Sequence, residues 1–231
     1  MTDLRPKFRR EPATQRKEAL IQAALALISE QGVAGATVRA IAKRADVTQG
    51  LIRHYFTTKE DLISAAYERH MNQMTELTAA PAAHADVSAR TRLTTFIAAG
   101  LTSPVMDTRS VTLWASFISS IRTDDAMRKM HQQTYYDFRN RLESLIRDAL
   151  IEAGTPTPPD PKILRQMAIA SNAVIDGLWM EGGALPEAFD TGELAQIGLT
   201  SVGAIIGLDL QEQATTPLPT PSQVTPTKGQ L

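Results

Sequence analysis

The 231-residue chain contains no cysteine. That excludes a disulfide framework, a thiolate metal site and a cysteine nucleophile. No stretch reaches the roughly 18 uninterrupted apolar residues that a membrane-spanning helix needs. The first ten residues carry charges but not the apolar segment of a secretory signal. A cytoplasmic protein with no membrane partner is the expectation. Also missing are a Ser-His-Asp order, a glycine-rich phosphate loop and a His-Glu-x-x-His pair. No catalytic function, metal or cofactor is therefore expected, and Asp124-Asp125 reads as a helix start rather than a catalytic pair. The four histidines are scattered. Apart from His54, they read as surface groups. Strand-like alternation and internal repeats carry no weight anywhere.

Net charge is nearly absent too, at −1, but the average hides an asymmetry. Residues 1–60 hold 11 Lys and Arg against 6 Asp and Glu, and the remainder holds 13 against 19. A basic N-terminal segment on an acidic body fits a nucleic-acid reader with a separate effector half. Arg5, Lys7, Arg9 and Arg10 precede the first helix. They fit either an arm along the DNA minor groove or backbone, or a solvated tail.

What the chain has is helical periodicity and enough apolar content, 43%, for a sizeable core. About nine helices are expected, making an all-α protein. The first covers 14–33, with Ile21, Ala24, Leu25 and Ile28 on one face, and ends at Gly32. Two short helices follow inside the motif described next. The fourth runs over 59–78, with Leu62, Ala65, Ala66 and Arg69 in helical spacing, and ties the head to the body. The rest fall at about 88–101, 108–122, 124–153, 162–181 and 191–210. Phe138, Leu142, Leu145, Ile146 and Ala149 line one face of the seventh. The Pro- and Thr-rich residues 213–231 offer no buryable face and should be disordered. The division expected is a head over 1–58, a body over 59–210 and a tail over 211–231.

Residues 35–62 have the spacing of a helix-turn-helix. Thr37 can cap the first helix of the pair with its hydroxyl. Val38, Ile41, Ala42 and Ala45 form an apolar stripe, and the small Ala42 admits a close crossing. Asp46 sits where the turn needs positive φ, which Asp tolerates better than most non-glycine types. Val47 plugs the angle, and Thr48 can cap the second helix. Thr58-Lys-Glu-Asp61 has the pattern of a capping box. The open side of the second helix carries Gln49, Arg53 and His54, suited to base edges or phosphates. Tyr55, and Lys59 and Thr37 at helix N-termini, suit phosphates. The candidate contacts to double-stranded DNA are thus Thr37, Arg39, Thr48, Gln49, Gly50, Arg53, His54, Tyr55 and Lys59.

The string Ile41-Ala-x-x-Ala-x-Val-Thr-x-Gly50, followed by His54-Tyr-Phe-x-x-Lys-x-x-Leu62, resembles the N-terminal domain of TetR-family repressors. Asp46 replaces the commoner glycine of the turn, and Arg53 stands where many relatives have tyrosine. Gln49-Gly-Leu-Ile-Arg-His-Tyr-Phe56 and Asn172-Ala-Val-Ile-Asp-Gly-Leu-Trp-Met-Glu-Gly182 resemble the branch that represses choline-to-glycine-betaine genes. The resemblance implies a helix-turn-helix head, a C-terminal body that binds a small molecule, and a homodimer. It places a two-fold four-helix bundle on the eighth and ninth helices. Met167, Ser171, Val174 and Leu178 are the seam candidates on the eighth. Ile197, Ser201, Val202 and Ile205 are those on the ninth, where Gly198, Gly203 and Gly207 would allow close packing. Two heads about one DNA turn apart would read a near-palindromic operator.

Aromatic residues make up 5% of the chain, yet Trp114, Phe117, Tyr135, Tyr136, Phe138 and Trp179 fall in three helices, with Asp176 and Glu181 near Trp179. Rings with a carboxylate can hold a quaternary ammonium by cation–π attraction. Trp114, Phe117, Tyr135, Asp176, Trp179 and Glu181 are the effector-site candidates, with plain core packing as the other account of the rings. Choline or a related amine is the expected effector and a polyamine the competing one. A helical adaptor without specific DNA binding is the alternative of another class.

Overall fold

The computed structural model describes residues 12–122, 124–155 and 160–211. The basic residues before the first helix, Pro156-Thr-Pro-Pro159 of the inter-helix stop and the Pro/Thr-rich tail lie outside them. Among the described residues there are nine α-helices and no strand. They are α1 (Ala13–Gly35), α2 (Val38–Arg44), α3 (Gln49–Tyr55), α4 (Lys59–Ala79), α5 (Ala89–Gly100), α6 (Thr108–Ile121), α7 (Asp125–Glu152), α8 (Pro161–Ala184) and α9 (Glu193–Ile206). None of them is long and apolar enough to cross a membrane.

Local chemistry sets most of the ends. Gly32 takes φ 70° and breaks α1, but the chain resumes a helical turn to Gly35, past the expected stop. The hydroxyls of Thr37 and Thr48 accept from Ala40 N and Leu51 N, capping α2 and α3. Asp46 turns the chain between them at φ 52°. Thr58 and Asp61 form the reciprocal capping box of α4. The Asp124 carboxylate accepts from Ala126 N and Met127 N at the start of α7. Gly207, at φ 75°, ends α9 some four residues before the expected end.

Two apolar cores hold the helices. The second joins α5, α7, α8 and α9 around Phe96, Leu142, Ile146, Ala168, Ile175 and Val202. The first joins α1–α4, with Leu20, Ile28, Ile41, Ile52, Leu62 and Tyr67 at its centre. Val47 packs against it from the turn. This core is not closed by the head alone. Leu113 and Phe117 of α6 and Met127 of α7 complete it, and the Phe117 ring stands edge-on to Tyr67 at 4.9 Å between centroids. α6 therefore has two working faces: Leu113 and Phe117 fill the head core, while Trp114 and Ile118 line a cavity. Polar ties within α1–α4 add to this: Arg44 of α2 makes a fork to Glu30 of α1 at 2.6 and 2.7 Å, and Arg69 of α4 reaches Glu18 of α1 at 3.0 Å.

The seam residues of α8 and α9 divide. Ser171 and Val202 are fully buried inside one chain, so they are core residues rather than surface contacts. Met167 and Leu178 are half-buried against the second core. Val174, Ser201 and Ile205 are partly open, and Ile197 is exposed. The glycines of α9 serve this chain's own packing. A Cβ at Gly198 would strike Leu101, one at Gly203 would strike the Leu208 carbonyl, and Gly207 supplies the helix-ending φ.

Candidate functional site

The head presents α3 outward. Its interior position Ile52 is buried, whereas Gln49, Gly50, Arg53 and His54 are exposed on one side. Thr37, Arg39 and Thr48 are exposed beside them at the N-termini of α2 and α3. Tyr55 and Lys59 are half-buried. The Lys59 ammonium lies 3.4 Å from the Val33 carbonyl, which holds it near the end of α1. The His54 ring meets Tyr55 edge-on at 5.2 Å. The geometry is that of a short helix buried along one side and offering amide, guanidinium and imidazole groups from the other. Such a helix fits the major groove of DNA.

The body encloses a second feature, a cavity of about 280 Å³ between α4, α6, α7 and α8. Trp114, Tyr135, Asp176 and Trp179 all line it. Two other candidates do not. Phe117 packs into the head core one turn beyond Leu113, on the row of α6 adjacent to the Trp114–Ile118 row that lines the cavity. Glu181 is exposed and lies off the lining. The two tryptophans stand edge-to-face at 6.2 Å and 84°, and the Trp179 indole donates to the Val105 carbonyl at 3.0 Å.

Asp176 sits at the polar pole. Tyr135 Oη donates to its Oδ2 at 2.7 Å, and Asn172 Nδ2 donates to the same oxygen at 2.8 Å and to Tyr135 Oη at 2.6 Å. Burial raises the carboxyl pKa more than these two bonds lower it. Burial and the adjacent carboxylate also raise that of the Tyr135 phenol. These carboxylate partners are neutral, and the cavity lining holds no Lys or Arg among the described residues. A cation in the cavity would complete this pole.

Two histidines read as surface groups belong here instead. His70 is 5% exposed and lines the cavity from α4. Burial takes its pKa down to about 4, against a backbone hydrogen bond at Ser110 that favours the charged form. His131 is half-buried on the lining, with Nδ1 2.5 Å from Tyr67 Oη and its ring 5.5 Å from that of Tyr135. Their signal in the sequence is weak. His70 continues the Leu62, Ile63, Ala66, Tyr67 stripe of α4, a face the expected spacing placed one position off, on Ala65 and Arg69. Asn172 was legible only as part of a similar segment, without a role.

A helix-turn-helix head sharing a core with a cavity-bearing helical body is the architecture of a one-component DNA-binding regulator. The model for bacterial regulatory proteins of the tetR family matches residues 20–66. The model for the BetI-type transcriptional repressor C-terminal domain matches residues 89–207, more than half of the chain. The chain belongs to the TetR family of transcriptional repressors, with a C-terminal domain of BetI type. It is 29% identical to the HTH-type transcriptional regulator BetI of Burkholderia thailandensis over 181 residues, 76% of this chain and 86% of that protein. It is 28% identical to the BetI of Paraburkholderia phytofirmans over the same shares. A transcriptional regulator from Pseudomonas aeruginosa superimposes with a TM-score of 0.78 at 29% identity, covering 87% of this chain and 95% of that one. A regulator from Saccharomonospora viridis, solved in complex with choline, shares the fold with a TM-score of 0.64 at 17% identity, covering 84% and 96%.

Proposed function

We propose that this protein is a homodimeric repressor released from a near-palindromic operator by choline or a related quaternary amine. The observation that carries the effector is the lining. Both tryptophans of the chain and Tyr135 surround a cavity whose carboxylate, Asp176, has neutral partners. Ring faces and one buried negative charge suit a compact cation that cannot donate N–H bonds. A polyamine carries several spaced charges, and Asp176 is the one carboxylate on the lining among the described residues. A zwitterion such as glycine betaine would bring a carboxylate to a wall without Lys or Arg. The choline held by the Saccharomonospora viridis regulator supports the same choice.

The dimer reading rests on α8 and α9. Ile163, Ile169 and Ile197 are exposed there, and small residues, Ala170, Ala173, Gly177 and Ala204, allow a second copy to approach closely. Val174, Ser201 and Ile205 would join that seam. The operator contacts are assigned to Gln49, Arg53 and His54 from the open side of α3, with Thr37, Arg39, Thr48, Gly50, Tyr55 and Lys59 around them. Release follows from differential affinity: the ligand must prefer the body shape in which the two heads no longer match the groove spacing.

A gel shift on DNA flanking the protein's own gene tests both halves. Choline at sub-millimolar concentration should release a salt-sensitive, sequence-specific complex, and spermidine should not. Absence of specific binding would favour a helical adaptor. Specific binding that spermidine rather than choline releases would reassign the effector.

A further inference from the structure

Two buried polar atoms on the cavity wall have no partner in the structure: His70 Nε2 and Asn172 Oδ1. Both residues are more than nine-tenths buried, and both line the cavity. An unsatisfied polar atom in an apolar wall is costly unless something in the cavity completes it. Four of the wall's donors are already spent. Trp179 Nε1 goes to the Val105 carbonyl, Tyr135 Oη and Asn172 Nδ2 go to Asp176, and Thr78 Oγ1 goes to the Met74 carbonyl.

The chemistry of His70 can be taken one step further. Burial favours the neutral ring, and the Ser110 backbone acts on it in the opposite sense. A neutral imidazole has one N–H. In the tautomer that turns its Nδ1–H toward Ser110, Nε2 presents a lone pair to the cavity and can only accept. Asn172 is fixed in the same sense. Its amide nitrogen must face the Asp176 carboxylate, so its oxygen is the free atom. Asn172 stands beside the carboxylate on α8, at the cation pole. His70 stands on α4 against the start of α6.

We propose that His70 is the specificity residue for a hydroxyl on the effector, so that the cavity reads a cationic alcohol rather than any quaternary ammonium. The proposal rests on reading the cavity as a cation site. The cation sits against Asp176 and the rings, and its hydroxyl donates to His70 Nε2. Asn172 Oδ1 adds a partial negative charge at the cation pole. An ammonium whose hydroxyl has been oxidised to a carboxylate would set an acceptor against an acceptor and is rejected twice, by His70 and by Asp176. Because α4 follows the recognition helix directly, the hydroxyl bond also ties the ligand to the element that carries the head.

The test compares choline with n-propyltrimethylammonium, in which a methyl replaces the hydroxyl, by calorimetry on the full chain. The wild type should bind choline roughly tenfold more tightly, the size of one neutral hydrogen bond in a buried site. In His70→Phe the two ligands should bind alike, with the affinity for n-propyltrimethylammonium close to that of the wild type. The imidazole ¹⁵N resonances of His70 give a measurement free of any folding defect. Nε2 should shift on adding choline and not on adding the isostere. Equal affinity of the two ligands for the wild type, or an unmoved Nε2 resonance, overturns the hydroxyl assignment while the cation site stands. Failure of both ammonium ions to bind overturns the cation site and this assignment with it.

Discussion

Replacing Asp176 by Asn separates ligand affinity from stability, because the two should move in opposite directions. The amide oxygen keeps an acceptor for Tyr135 Oη and Asn172 Nδ2, so the local bonds at 2.7 and 2.8 Å survive in kind. The charge is lost. Burial disfavours the Asp176 carboxylate in the empty protein, so Asp176→Asn should be at least as stable as the wild type at neutral pH. A carboxyl whose folded pKa is raised destabilises the fold while it is ionised. That penalty disappears as acid protonates it, and the gap between the two proteins should close on acidification. With a cation bound the balance reverses. Two unit charges about 4 Å apart attract by about 4 kcal/mol at an effective dielectric of 20. Desolvation of the cation consumes part of this, and the ring contacts remain. A net loss of about 2 kcal/mol is expected, roughly a thirtyfold rise in the choline Kd. The assay is built into the molecule. The chain has two tryptophans, both on the cavity wall and 6.2 Å apart, so their emission should report occupancy directly. A choline Kd within twofold of the wild type would refute the role of the carboxylate. A fall in melting temperature at neutral pH would refute the account of its burial.

Three other outcomes are expected. His70 is neutral in the fold, with its pKa lowered from 6.5 to about 4, so the unfolded chain gains a proton first as pH falls. Its contribution to stability should shrink between those values by at most about 3 kcal/mol, and thermal melts of His70→Gln against wild type at pH 7 and 4.5 should show the difference narrowing. Arg53→Ala should lose on the order of 1–3 kcal/mol on the operator if Arg53 reads a base, whereas Lys59→Ala should weaken all sequences and flatten the salt dependence; filter binding at several salt concentrations distinguishes them. Ile197→Arg, on the exposed face of α9, should give a folded monomer that has lost operator affinity, and a dimer in sedimentation would remove α9 from the seam.

The local structure of the head was legible because its determinants are close in sequence. Caps at Thr37, Thr48 and Thr58, the positive φ of Asp46 and the stripe through Ile41 and Ala42 each depend on residues a few positions apart. The cavity was half legible. Counting scarce aromatics found Trp114, Tyr135 and Trp179, but composition cannot say which face of α6 turns where, and Phe117 went to the other core. His70 and Asn172 stayed hidden because their importance lies in what surrounds them: a buried histidine looks like any other in sequence. Ser171 and Val202, expected on the seam of α8 and α9, went to this chain's own core for the same reason in reverse. Both helices carry apolar residues on more than one face, since one side packs on this chain and another is left open. Ser171 and Val202 could not be told from Val174 and Ile197 by periodicity alone.

α6 is a party wall. Leu113 and Phe117 furnish the room that keeps the recognition helix in place, and Trp114 and Ile118 furnish the room for the effector. Neither room can be redecorated alone. If the effector loosens operator binding by some factor, operator DNA must loosen effector binding by the same factor. The protein parked on its operator is then a poorer sensor than the same protein free in solution. The concentration at which a promoter opens would therefore depend on how much operator the cell holds, as well as on how well the cavity fits its guest.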